Sequence, residues 1–258
     1  MTRKRSVIIS LVSMTFLLVL YGLTTSGIMG FNPVGEEGGY GAPLVVPSGY
    51  AFTIWAPIYL FLIAFPIYQY FKKAKESNHW NTLRNWYSIN VLANGFWLVG
   101  AAYEWLWITV FLIVILLISL YQINVLLLNI WKSGYTINFF AERVGFRIYF
   151  GWITLATALN ISAALKFYEW DGFGLSETNW SLIILSVAAT LAGLTFWKFR
   201  SVTYALVVIW AFGGLVHKHI NENHLITYLS VTVMITFVLL ILVRTKLLKT
   251  KIRTLQNV

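Results

Sequence analysis

Apolar residues run along this chain in long blocks, separated by short polar breaks. A helix rising 1.5 Å per residue needs about 20 mostly apolar residues to cross a bilayer's hydrocarbon core. Eight blocks approach or exceed that length, at about 6–29, 49–71, 86–103, 105–130, 147–167, 180–197, 201–217 and 225–243. The third and seventh are short, which leaves seven spans as the alternative count. The pattern predicts an all-α, polytopic membrane helix bundle of about eight transmembrane helices.

Composition narrows the class. Apolar residues make up 59% of the chain and charged residues 11%, against roughly 25% charged in an average soluble domain. A soluble globular enzyme, a disordered chain and a free nucleic-acid binder are excluded. The absence of cysteine removes disulfides, thiolate metal sites and cysteine nucleophiles.

The net charge of +10 changes meaning once the spans are drawn. With the N-terminus inside, 17 of the 19 basic residues fall on the inner side, and only Lys166 and Lys218 outside. Glu36, Glu37, Glu104, Glu169, Asp171, Glu177 and Glu222, seven of the nine acids, fall outside. Basic asymmetry of this kind orients membrane proteins. It predicts both termini in the cytoplasm, hence an even number of spans, and no nucleic-acid partner; a bacterial cell membrane suits the pattern. Arg3–Arg5 before an apolar run resemble the start of a signal peptide, but the run is long and no Ala-x-Ala site follows. It reads as the first span.

By this reading no ionisable residue lies in the middle of a span, which disfavours ion-coupled pumps, proton relays, voltage sensing and a retinal Schiff base. His217, His219 and His224 cluster near Glu222. They could form a weak metal site or a pH sensor, or simply a solvated connector; no metal site is assigned. No phosphate loop, Ser-His-Asp order or dinucleotide fingerprint is present, so no catalytic residue is assigned.

Tryptophan is abundant, with 12 in the chain. Trp80, Trp86, Trp105, Trp107, Trp131, Trp170, Trp180 and Trp197 fall near span ends and suit an interfacial belt. Trp55, Trp97, Trp152 and Trp210 sit deeper, where an indole N–H needs a partner. Asn90, Asn94, Trp97 and Ala101 share one helical face; Trp152, Ala156, Asn160 and Ala163 make a second; Trp55 and Tyr59 a third. Amides facing lipid are costly, so these faces point into the bundle, either as packing or as a pocket. On helical rise, Trp55, Trp97, Asn160 and Asn94 lie roughly 8, 9, 10 and 13 Å below the outer ends of their helices, and Trp152 roughly 22 Å, out of that layer. The stretch 31–49, with Pro33, Pro43, Pro47 and several glycines, is a loop next to the pocket mouth, either a lid or a plain connector.

Three motifs then carry a resemblance. Pro47-Ser-Gly-Tyr-Ala-Phe-Thr-Ile-Trp55-Ala-Pro-Ile-Tyr59, the Asn90/Asn94/Trp97 pattern, and Tyr149-Phe-Gly-Trp152 followed by Ala156-Thr157-Ala-Leu159-Asn160 resemble, in order, the second, third and fifth helices of the TspO/MBR family of tryptophan-rich sensory proteins. The resemblance covers about residues 6–168. It implies a five-helix core over residues 1–170, with a three-helix extension and basic tail over 171–258. It implies a pocket for a tetrapyrrole or another amphipathic apolar ligand, lined by Trp55, Tyr59, Asn94, Trp97, Trp152, Ala156 and Asn160, with no required cofactor. Sensing, carriage or scavenging are the implied roles. Light-dependent porphyrin breakdown, small-solute transport and partner binding are the rivals. The bilayer and the ligand are the expected partners, and a homodimer is compatible with the reading.

Overall fold

The computed structural model of the chain describes residues 2–26, 42–72 and 79–256, with side chains through Lys246. Eight α-helices follow in order: α1 (Arg3–Thr25), α2 (Trp55–Phe71), α3 (His79–Ala102), α4 (Leu106–Lys132), α5 (Gly145–Phe167), α6 (Glu177–Phe199), α7 (Val202–His219) and α8 (His224–Gln256). A 3-10 segment, Gly49–Ile54, leads into α2, and a wide π-helical turn, Phe139–Val144, leads into α5. The described residues contain no strand. The all-helical polytopic bundle expected from the apolar blocks is what the chain forms.

Among the described residues, six helical segments are long and apolar enough to cross a membrane, counting α2 together with Gly49–Ile54 and α5 together with Phe139–Val144; α3 and α7 are the exceptions. These are the two spans that looked short in the sequence. The reason is burial. Helix α3 packs on α1 and α4, and α7 on α5 and α8, so much of their surface meets protein instead of lipid. Helix α3 can therefore carry Arg84, Asn90 and Asn94, all buried. It also starts at His79, seven residues before the expected 86, and draws Trp80 and Arg84 into the bundle.

Helix α5 is the hub, contacting α2, α4, α6 and α7. Glycines permit two of those approaches. A Cβ on Gly145 would stand 2.2 Å from the Phe61 Cβ of α2, and one on Gly151 2.9 Å from the Val207 Cβ of α7. Helix ends are closed locally. Ser176 and Ser201 accept the Asn179 and Tyr204 N–H groups at the starts of α6 and α7. Arg200, in the left-handed conformation (φ 49°), ends α6 and turns the chain sharply into α7.

One end of the bundle is basic and rich in polar contacts. Arg3 donates to the Gln69 carbonyl, joining α1 to α2. Lys72 and Glu142 form a buried ion pair at 2.6 Å. Glu142 also accepts from Gln69 Nε2 (2.5 Å) and the Asn138 N–H (2.6 Å). Arg84 Nη2 donates to Gln69 Oε1 at 2.7 Å, and the Lys72 ammonium lies 4.0 Å from the Trp80 ring centroid. Trp80 is thus fully buried, not part of an interfacial belt. Trp105, Trp107, Trp131 and Trp197 are exposed, as a belt requires.

The candidate aromatic site

Residues 42–54 decide where the site sits. Of the loop expected over 31–49, residues 31–41 lie outside the described residues. The described part does not run over a pocket mouth; it enters the bundle. Val45 and Ala51 are buried. The Ser48 N–H donates to the Gly214 carbonyl at 3.1 Å, the Trp210 indole donates to the Ala51 carbonyl at 3.0 Å, and His219 Nε2 meets the Leu44 carbonyl at 2.7 Å. All three anchors come from α7. Gly214 is required here, since a Cβ would meet Pro47 Cβ at 2.8 Å. The segment is therefore a strap held by α7.

Because the strap enters the bundle, Trp55 at the start of α2 lies deeper than its distance from a helix end suggests. It reaches Trp152, which the helical rise alone had placed in a different layer. The two rings meet edge to face with centroids 6.4 Å apart. Trp55 also stacks on Tyr59 (5.6 Å, 26°) and on Trp97 (6.0 Å, 26°), and Tyr149 meets it edge-on at 5.8 Å. Phe52 closes against Trp152 at 5.5 Å. Six aromatic rings from the strap, α2, α3 and α5 thus form one cluster, in which the half-buried Trp55 indole touches four of the other five.

A chain of amides and hydroxyls runs beside the rings. Tyr59 Oη donates to Asn94 Oδ1 at 3.0 Å, and Asn94 Nδ2 donates to the Tyr149 hydroxyl. Trp97 Nε1 donates to Asn160 Oδ1 at 2.9 Å, and Asn160 Nδ2 returns to the Ala156 carbonyl at 3.0 Å. The Trp152 indole N–H is buried and has no partner among the described residues. An unsatisfied buried donor of this kind costs about 1–3 kcal/mol. The structure thus gathers Trp55, Tyr59, Asn94, Trp97, Trp152 and Asn160, with Ala156 buried on the same face of α5.

Residues 7–243 match the family model described as TSPO-like protein. The chain belongs to the TSPO-like protein family. No curated protein and no solved structure matches it. The match reaches all eight helices, so α6–α8 of this TSPO-like protein fall within the family's extent.

Several residues take roles that the sequence patterns did not separate. Asn90 shares a helical face with Asn94, yet it donates to Ser119 Oγ of α4 at 2.8 Å and serves packing. Tyr149 and Phe52 belong to the aromatic cluster without having been singled out as site residues; the Tyr-x-x-Trp spacing was the available signal for Tyr149. The histidines do not converge. His217 meets the Tyr50 ring edge-on at 5.5 Å, His224 stacks on Tyr228 at 6.3 Å, and His219 is fully buried on the strap. His219 is therefore an anchor, not part of a solvated connector.

Proposed function

We propose that this membrane protein of the TSPO-like family binds a flat or elongated amphipathic ligand, a tetrapyrrole first, at Trp55 and its neighbours. The role is that of a sensor, carrier or scavenger. The observation behind this reading is the setting of Trp55: half-buried, stacked on Tyr59 and on Trp97, and met edge-on by Tyr149 and Trp152. Offset stacked and edge-to-face arrangements suit aromatic quadrupoles and reward an added π-surface. Binding sites are typically apolar cavities with a few convergent polar groups. Here the orphan Trp152 N–H and the Asn94 and Asn160 amides supply those groups. A carboxylate side chain of the ligand would give the Trp152 donor its acceptor.

Titration of the detergent-solubilised protein with protoporphyrin, in the dark and under light, tests the reading. Saturable tryptophan quenching is expected, weakened in Trp55→Phe and Trp152→Phe. Equal quenching in wild type and both variants contradicts the assignment. Light-dependent loss of porphyrin absorbance that needs either tryptophan would make the protein a catalyst. Solute flux in proteoliposomes without porphyrin binding would make it a permease.

A further inference from the structure

The basic end of the bundle holds a second concentration of charge, separate from the Lys72–Glu142 pair. Arg147, in the first turn of α5, is only 3% exposed, yet its Nε and Nη1 have no hydrogen-bond partner among the described residues. Its guanidinium lies 4.7 Å from the Phe199 ring centroid. The charges that act on it, from Arg143 and Arg244, are of the same sign, and Arg200 adds to the field at Arg244. Lys198 is next to Phe199 in sequence and bonds the Tyr121 hydroxyl. The nearest acid in sequence, Glu142, is committed to Lys72, Gln69 and the Asn138 N–H.

Burying a cation without a counter-charge is strongly unfavourable, and burying it among other cations more so. The arrangement becomes reasonable if an anion completes it. Arginine's planar fork suits the oxygens of a phosphate. Helix α7 starts just after Arg200, and the positive end of its dipole adds to the same field.

An apolar groove leads away from this cluster. It has a volume of about 360 Å³, lies between α4 and α6 with α5 as its floor, and is lined by residues including Tyr121, Phe150, Ala158, Val187 and Leu191. Phe199 links the groove to the arginines. Phe199 contacts both Tyr121 and Phe150, with centroids 5.9 and 6.0 Å apart, and Arg147 lies over that same Phe199. A charged head at Arg147 and a hydrocarbon chain in the groove describe one amphiphile.

We infer that Arg147, Arg200 and Arg244 form a binding site for an anionic phospholipid, its phosphate on the arginines and one acyl chain in the groove between α4 and α6.

The test uses the full chain in a neutral detergent, with thermal unfolding followed by tryptophan fluorescence. The probes are dioleoyl phosphatidylglycerol, dioleoyl phosphatidylcholine and inorganic phosphate. Phosphatidylglycerol is expected to raise the wild-type midpoint at lower concentration than either of the others. The half-saturating concentration should rise about tenfold or more in Arg147→Met, the loss expected for a charged hydrogen-bond donor. Because Arg147 is buried and its variant could fold poorly, the less buried pair Arg200→Gln/Arg244→Gln carries the same expectation. Val187→Trp, which fills the groove without touching a charge, should weaken the phosphatidylglycerol effect and leave that of phosphate unchanged. Equal effects of the two lipids, or half-saturation unchanged in the arginine variants, would overturn the site. An effect of inorganic phosphate as strong as that of phosphatidylglycerol would overturn the lipid as occupant.

Discussion

The Trp97 indole donates to Asn160 Oδ1 at 2.9 Å, a bond between α3 and α5 across 63 residues of sequence. It fixes the ring that stacks on Trp55. It also leaves the Asn160 amide nitrogen to its own helix, on the Ala156 carbonyl. Polar bonds between membrane helices average about 0.6 kcal/mol and reach about 1.7 in double-mutant cycles. Trp97→Phe, Asn160→Leu and the double variant should therefore show a coupling of about 0.6–1.7 kcal/mol in reversible unfolding. Additive losses would mean that the bond is not formed.

The Lys72–Glu142 pair predicts a different pattern. Both side chains are buried, 5% and 0% exposed, so removing one partner strands a charge in a low-dielectric interior. Lys72→Met should cost about 3–5 kcal/mol. The double change Lys72→Met/Glu142→Leu should cost less than the sum of the single changes. Thermal unfolding of the four proteins in one detergent measures this.

Glycines give a steric prediction with an internal control. Gly145→Ala places a Cβ 2.2 Å from Phe61 Cβ and should destabilise by about 1–3 kcal/mol, the usual range for overpacking. Gly193, in the middle of α6, has nothing within 4 Å of an added Cβ. Gly193→Ala should be neutral or stabilising by up to about 1 kcal/mol, as expected from helix propensity. Parallel melting curves decide between the two.

Much of this architecture was legible in the sequence because bilayer thickness imposes span length. Eight apolar blocks became eight helices, and the two weakest blocks became α3 and α7, which lean on protein. The aromatic and amide stripes at helical spacing located most of the cluster. What the sequence concealed was tertiary. The strap over 42–54 enters the bundle because Gly214 and the Trp210 and His219 side chains receive it. That entry lowers Trp55 toward Trp152, which spacing along separate helices could not reveal. Likewise Arg84 and Arg147 looked like inner-side loop charges, because a charge at a span end carries no mark of whether it is solvated. Only the packing of α3 and α5 shows both to be buried.

The charge asymmetry predicts orientation, and the lack of cysteine makes it simple to test. Ser133 and Asn221 are exposed at opposite ends of the bundle. In intact cells, Asn221→Cys should react with a membrane-impermeant thiol reagent and Ser133→Cys only after permeabilisation. The reverse pattern would put the basic end outside.

The central claim is that the rings around Trp55 hold a ligand and do more than pack the core. The most direct measurement is the dissociation constant of protoporphyrin, read from the porphyrin's own absorbance so that losing a tryptophan does not alter the signal. Removing a stacked aromatic surface typically loses about 1–3 kcal/mol, so Trp55→Ala should weaken binding by about 5-fold to 100-fold. Lateral substitutions outside the cluster, such as Trp131→Ala, should leave it unchanged. An identical dissociation constant in wild type and Trp55→Ala, with both proteins folded, would contradict the account.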